Sequence, residues 1–262
     1  LGEEMTEIIP NLSILLLILV RVSAFFVTVP LFSYRTIPPQ VRITLAVVLA
    51  WMMYYTFNME PFEINGVYLL LVLKEAIIGL MLGLAAMIII SAVQIAGGFI
   101  DFQMGFAMAN IIDPQTGAQS PLMGQFLNFL TLLVLLAING HHLLLDGIFY
   151  SYQFLPMDQF FPNFGEEGTV LFIMKMFVSV FAIAFQMSAP IVATLFLVTL
   201  ALGITGKTVP QMNIFVIGFP IKIAVGFLVM IVTMGVLVGV MKELIEFMIV
   251  SLRELMVILG GG

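Results

Sequence analysis

The sequence predicts an all-α, polytopic membrane protein of about six long, partly kinked helices. Three observations carry that expectation. Of 262 residues, 62% are hydrophobic and only 9% charged, whereas a soluble domain averages about 45–50% apolar and about 25% charged. The apolar residues come in continuous runs without period-2 alternation, which argues against strands. Each run is long enough, or nearly so, to cross about 30 Å of hydrocarbon as a helix.

The runs follow in order. Glu3, Glu4 and Glu7 precede Ile8–Phe32, whereas a secretory signal opens with positive charge. This first run is also too long for a signal core, so it reads as a retained span. Val41–Phe57 follows. Val67–Ile100 would make about 51 Å of helix, more than one simple span, and Val170–Ile204 is similar and contains Pro190. Both should tilt, kink or protrude. Between them lies Ser120–Ile138, and Ile214–Met241 comes last. The tail from Lys242, KELIEFMIVSLRELMVIL, either returns across the membrane or lies along a partner as an amphipathic helix. Gly260–Gly262 reads as a flexible end. Nothing points to a separate soluble domain, so residues 1–262 are read as one membrane-embedded domain.

Basic residues suggest an orientation. Arg35 and Arg42 flank one link, Lys207 and Lys222 another, and no Lys or Arg lies between Lys74 and Lys175. Short basic links stay cytoplasmic, which places 33–42 and 205–222 inside, with four crossings between them. The acidic 139–168 region is then outside. The net charge of −6, with no basic run, does not indicate a nucleic-acid partner. The absence of cysteine excludes disulfides and thiolate metal sites.

Several motifs have a plain structural reading. Gly79–Gly83 and Gly235–Gly239 are GxxxG pairs that favour close helix packing. Arg21 sits mid-run and must snorkel, pair, or face a protein interior, because a charge at the bilayer centre costs about 2.5–3.5 kcal/mol. Lys74 and Glu75 read as a solvated helix end. Asn139-Gly-His141-His142 with Asp146 has metal-ligand residue types, yet only His142 and Asp146 share a helix face, and Asn-Gly marks a turn. Gly203-Ile-Thr-Gly206-Lys207-Thr208 imitates a phosphate loop, but Ala201 stands where its first glycine belongs. It reads as a helix end followed by a basic turn. Ser188 before Pro190 suits back-bonding at a kink. No serine sits in a GxSxG elbow.

The sharpest feature is Gln94 to Gln125. This stretch is rich in Gly, Gln and Asn, carries only Asp101 and Asp113 as charges, and lies between apolar runs. Irregular backbone cannot face lipid, so it must be buried in protein or line a watery cavity. Asp113-Pro114-Gln-Thr-Gly117 fits a type I turn. Ser120–Pro121 fits a helix N-cap and first helical residue. Gly97, Gly98 and Gly105 permit close backbone approach, and Met104, Met108 and Met123 add adaptable side chains.

A set of ordered motifs resembles a known family. Arg21-Val-Ser-Ala-Phe with Pro30, Pro38 and Arg42 comes first. Gly98-Phe-Ile-Asp-Phe-Gln-Met-Gly-Phe, Asp113-Pro-Gln-Thr and Asn139-Gly-His-His come next. Pro210-Gln-Met-Asn-Ile-Phe with Pro220 and Lys222 closes the set. From about Ile8 to Val240 the chain is similar to the FliR/SctT family of type III secretion export-gate proteins. Ile112-Asp-Pro-Gln-Thr-Gly-Ala-Gln-Ser-Pro looks more like its flagellar than its injectisome members.

The resemblance implies a non-enzymatic membrane subunit, without cofactor, in a hetero-oligomeric gate of the bacterial inner membrane and flagellar basal body. Its implied partners are FliP-like and FliQ-like subunits, FlhB-like and FlhA-like export proteins, and unfolded exported polypeptides. Residues of about 1–168 would be FliP-like, and about 169–262 a FliQ-like hairpin and tail. Gly105, Phe106, Met108, Ile111, Ile112, Asp113, Pro114 and Gly117 would belong to a plug loop. Arg21, Lys207, Gln211, Pro220 and Lys222 would serve interfaces or gating.

Two other readings compete. A secondary transporter also uses broken helices, but it calls for paired internal repeats and a substrate-binding charge, and neither is visible. A membrane enzyme would rest on His141, His142 and Asp146.

Overall fold

The computed structural model describes residues 11–34, 36–57, 61–106, 121–159, 167–209 and 213–261. Among them there are seven helices and no strand, so the all-α expectation holds. The helices are α1 (Leu12–Thr28), α2 (Pro39–Tyr54), α3 (Gly66–Met104), α4 (Leu122–Ala137), α5 (Gly140–Phe154), α6 (Glu167–Thr208) and α7 (Ile214–Gly260). By length and composition α3, α6 and α7 can each cross a membrane, and the broken pair α4 and α5 adds a fourth candidate. At 17 and 16 residues, α1 and α2 fall short of the roughly 20 needed for a simple span. Not every apolar run is therefore a crossing by itself.

Other boundaries also depart from expectation. The polar stretch from Gln94 is not irregular throughout, since α3 stays helical to Met104. Its amides are thus satisfied within the helix. The first helical residue of α4 is Leu122, with Pro121 as its N-cap. Asn139 takes a left-handed conformation, φ 58°, and ends the α4 run. The chain then enters a further helix, α5, which the turn reading did not foresee. Gly203 and Gly206 do not end α6, which continues to Thr208. Pro220 and Lys222 lie inside α7 rather than in the link before it.

The chain folds as two compact units. One comprises Leu1–Ile88, Asn139–Lys175 and Phe247–Gly262. In it α1 buries Ile14, Leu17, Ile18, Val22 and Phe25, the i, i+3, i+4 stripe of a helix with one covered face. That stripe runs beside Gly79 and Gly83 of α3. A Cβ on Gly79 would overlap the Arg21 carbonyl oxygen, and one on Gly83 would overlap Thr28 Oγ1. This GxxxG pair therefore serves packing within the chain.

From Phe247 the tail also belongs to this unit. Rather than forming a separate returning span, it prolongs α7 and packs within its own chain. Met248, Leu252, Leu255, Met256 and Leu259 are buried, while Arg253 and Glu254 are exposed. Gly260 is helical and abuts the Phe154 carbonyl.

The other unit comprises Ile89–Ile138 and Met176–Glu246. Here Ser188 donates to the Phe185 carbonyl at 3.1 Å, the back-bonding expected beside Pro190. A Cβ added at Gly235 or Gly239 would meet nothing within 4 Å. Nearby Leu228, Ile231, Val232 and Val236 are exposed.

Candidate functional site

Within the second unit, the end of α3 and the start of α4 meet at the neck of the connection between them. Gly105 closes α3 with φ +93°, in the left-handed region that favours glycine. Its N–H donates to the Asp101 carbonyl at 3.0 Å and to that of Phe102 at 3.3 Å. The Phe219 ring lies where a Cβ on Gly105 would stand, and Met104 packs on Gly226 of α7. Phe219 immediately precedes Pro220, which removes one helical hydrogen bond from α7.

On the α4 side, Pro121 makes no side-chain cap bond. The acceptor comes from α3 instead: the Met123 N–H donates to Asp101 Oδ2 at 3.0 Å. A carboxylate at a helix start also meets the positive end of the helix dipole. One turn earlier, Gly97 and Gly124 touch through their backbones, so a Cβ on Gly97 would overlap the Gly124 Cα and N. At Gly98 the nearest atom to such a Cβ is Pro121 Cγ at 3.7 Å, ordinary contact. Gly97→Ala should therefore cost about 1–3 kcal/mol by forced separation, whereas Gly98→Ala should be near neutral. Thermal unfolding of the two variants in detergent measures the difference, and equal midpoints would refute the close approach.

The first unit holds a buried charge cluster. Arg21 is 0% exposed and Glu75 0%. Arg21 Nε donates to Glu75 Oε2 at 2.5 Å, and Nη2 donates to Oε1 at 3.0 Å. The remaining donors reach Ser151 Oγ at 3.0 Å and the Leu155 carbonyl at 2.8 Å. The guanidinium carbon lies 3.8 Å from the Tyr152 ring centroid, a cation–π contact. Lys74 is 2% exposed. Its Nζ lies 3.0 Å from Glu75 Oε1 and donates to the carbonyls of Pro156, Met157 and Gln159 at 2.8–2.9 Å. Two cations thus share one carboxylate. Carbonyls just past the C-terminal end of α5, where the helix dipole is negative, compensate the excess charge.

The expectations for these residues divide. Arg21 pairs in a protein interior, one of the fates open to it. Lys74 and Glu75 are not a solvated helix end. Both lie well inside α3, where only mutual pairing and carbonyl contacts make their burial tolerable. Of the plug-loop residues, Gly105 and Phe106 stand at the neck. Met108, Ile111, Ile112, Asp113, Pro114 and Gly117 lie outside the described residues, as does Gln211. Lys207 is exposed in the last turn of α6, and Lys222 is half-buried in α7. The His141 and His142 rings lie with centroids 4.1 Å apart and their planes tilted by 37°. Among the described residues no group of three His, Cys, Asp or Glu could hold a metal.

Sequence reasoning missed the cap supplied by Asp101 and the Gly97–Gly124 contact. The available signal was a carboxylate in an apolar stretch, which must find a partner when buried. Its partner is a backbone amide, and an amide leaves no trace in sequence.

This architecture is that of a helical membrane protein with internally paired charges and a glycine-pinched interhelical neck. The family described as bacterial export proteins, family 1, matches residues 12–248. The chain is 54% identical over 257 residues to the flagellar biosynthetic protein FliR of Bacillus subtilis (strain 168), covering 98% of this chain and 99% of that one. It is 31% identical over 246 residues to the FliR of Pectobacterium carotovorum subsp. carotovorum, covering 90% and 88%. It is 32% identical over 220 residues to the Yop proteins translocation protein T of Yersinia pestis, covering 82% and 84%. The chain belongs to this family of bacterial export proteins, the FliR/SctT family, and is most like its flagellar members. It is a membrane component of the flagellar type III export apparatus.

Proposed function

We propose that this chain completes the flagellar export gate together with FliP-like and FliQ-like subunits, beside FlhB-like and FlhA-like proteins, in the bacterial inner membrane at the flagellar basal body. It is not an enzyme. It forms part of the wall of a channel for unfolded polypeptides and supplies the loop that plugs it. Residues of about 1–168 form the FliP-like part and about 169–262 the FliQ-like hairpin. Gly168 at the start of α6 lies near Ile258 at the end of α7, as a hairpin requires. Lys207 at the end of α6 and Pro220 and Lys222 within α7 then stand on either side of the hairpin's turn, to which Gln211 belongs, near the cytoplasmic entrance.

The observation that carries the plug is the neck. The α3–α4 connection begins at a left-handed glycine and ends at a helix start tied back to α3. Phe106, Met108, Ile111 and Ile112 fill the lumen at rest, and an incoming chain displaces them. Apolar, deformable side chains seal around many sequences without selecting one. Open apolar faces such as Phe181, Phe185 and Val232 suit burial by neighbouring subunits. Arg21, buried with Glu75, holds an interface within the subunit.

Deletion of residues 106–117 should give complexes that assemble but leak ions across the resting membrane. Ion flux into cells or proteoliposomes measures this. A deletion complex as tight as the parent would remove the plug role.

A further inference from the structure

We propose that the turn after α5 is a cage for a monovalent cation, and that the Lys74 ammonium occupies it as a tethered ion. The inference stands apart from the plug, since every residue in it lies in the first unit. Four oxygens lie close around Lys74 Nζ. The carbonyls of Pro156, Met157 and Gln159 are at 2.8, 2.9 and 2.9 Å, and Glu75 Oε1 is at 3.0 Å. An ammonium has only three N–H donors, so charge, rather than one dedicated hydrogen bond each, holds the four together. Oxygens gather on one point in this way around a bound cation, where backbone carbonyls replace its hydration shell.

The turn depends on that positive charge. Met157 is 0% exposed, and among the described residues no other donor reaches these three carbonyls. A buried carbonyl without a partner is costly, and three carbonyl oxygens aimed at one point repel one another unless a cation sits between them. The contact with Glu75 is secondary. Its Oε1 already accepts from Arg21 Nη2 at 3.0 Å, and Arg21 Nε donates to Oε2. Arg21 can therefore neutralise the carboxylate by itself, which leaves the carbonyls as the main partners of Lys74.

Size and charge define the class of ion. Oxygens at 2.8–3.0 Å stand too far out for calcium, which takes about 2.3–2.6 Å, or magnesium, which takes about 2.0–2.1 Å. With Glu75 shared with Arg21, the cage also holds too little negative charge for a divalent ion. Ammonium and potassium fit. A free ion would hold the turn alone, whereas the lysine also ties it to α3.

The test uses the full chain in detergent. Lys74→Ala vacates the cage, and Lys74→Met refills it with an apolar side chain that attracts no cation. Unfolding midpoints of both variants and the parent are read in ammonium, potassium, sodium and magnesium chloride at matched ionic strength, with choline chloride as the blank. Only Lys74→Ala should respond. Its midpoint should be lowest in choline and should gain about 3–6 °C once ammonium or potassium exceeds its dissociation constant about tenfold. Sodium should do less, and magnesium no more than choline.

A Lys74→Ala midpoint blind to the choice of cation overturns the cage. So does an equal gain in Lys74→Met or the parent, which would mark a general salt effect. Should Lys74→Ala not accumulate, Lys74→Ser, which vacates the same space but keeps a hydroxyl for Glu75, decides in the same salts. If that variant is lost too, potassium or ammonium must raise the yield of folded chain on solubilisation above that in choline, and equal yields overturn the proposal.

Discussion

Glu75→Ala should produce the largest loss of stability of any single substitution in this chain. Among the described residues the carboxylate is the acidic group paired with both Arg21 and Lys74, and all three side chains are buried. Removing it leaves two buried cations without their paired carboxylate. Breaking one buried pair from one side costs about 3–5 kcal/mol, against a total stability of about 5–15 kcal/mol for an ordinary domain. The variant should fail to accumulate, or should unfold far below the parent in detergent. Arg21→Met combined with Glu75→Leu should cost much less than the two single effects added, because no opposed charge is stranded. Lys74→Met keeps the bidentate pair and should rank mildest. Unfolding midpoints in detergent give the ranking. A Glu75→Ala midpoint close to the parent's would contradict the buried cluster.

The two GxxxG pairs should part company under the same substitution. Gly79→Ala and Gly83→Ala each push a Cβ into α1, one against the Arg21 carbonyl and the other against Thr28 Oγ1. Backbone stands in the way at both, the Arg21 carbonyl at Gly79 and the Phe25 carbonyl behind Thr28 Oγ1 at Gly83, and it cannot yield as a flexible side chain can, so each should cost about 1–3 kcal/mol. The position of Arg21 beside Glu75 should suffer as well. Gly235→Ala and Gly239→Ala meet open space, and alanine is the better helix former by about 1 kcal/mol. The isolated chain should tolerate or welcome them. In the assembled gate they test whether a neighbouring helix comes close, because the added methyl then blocks it. Unfolding of the isolated chain, set beside the yield of complex, separates the two cases. Equal behaviour of the two pairs in the isolated chain would contradict the packing described.

Much of this protein was legible in the chain itself. Continuous apolar runs with few charges leave helices as the favoured way to satisfy the backbone in lipid, so fold class needed no coordinates. The family, too, was legible, because its motifs are ordered along the sequence. Side-chain partners were a different matter. Arg21 announced that it needed company, but Glu75 lies 54 residues away, a separation no local pattern encodes. Lys74 and Glu75 looked like a helix end because a charged pair beside an apolar run usually faces water. Only the carbonyls from Pro156 to Gln159 reveal why they are buried. The path of the tail stayed open between a returning span and an amphipathic helix along a partner for the same reason: its covered face meets distant parts of the chain, such as the end of α5.

Composition and periodicity thus determined what each segment must be, since those are costs a segment bears alone. Tertiary structure decided which buried charge meets which acceptor, which glycines carry weight, and how the α3–α4 neck is tied. Those depend on where distant backbone arrives, and a hydrogen bond to a backbone group leaves no mark on the residue that supplies it.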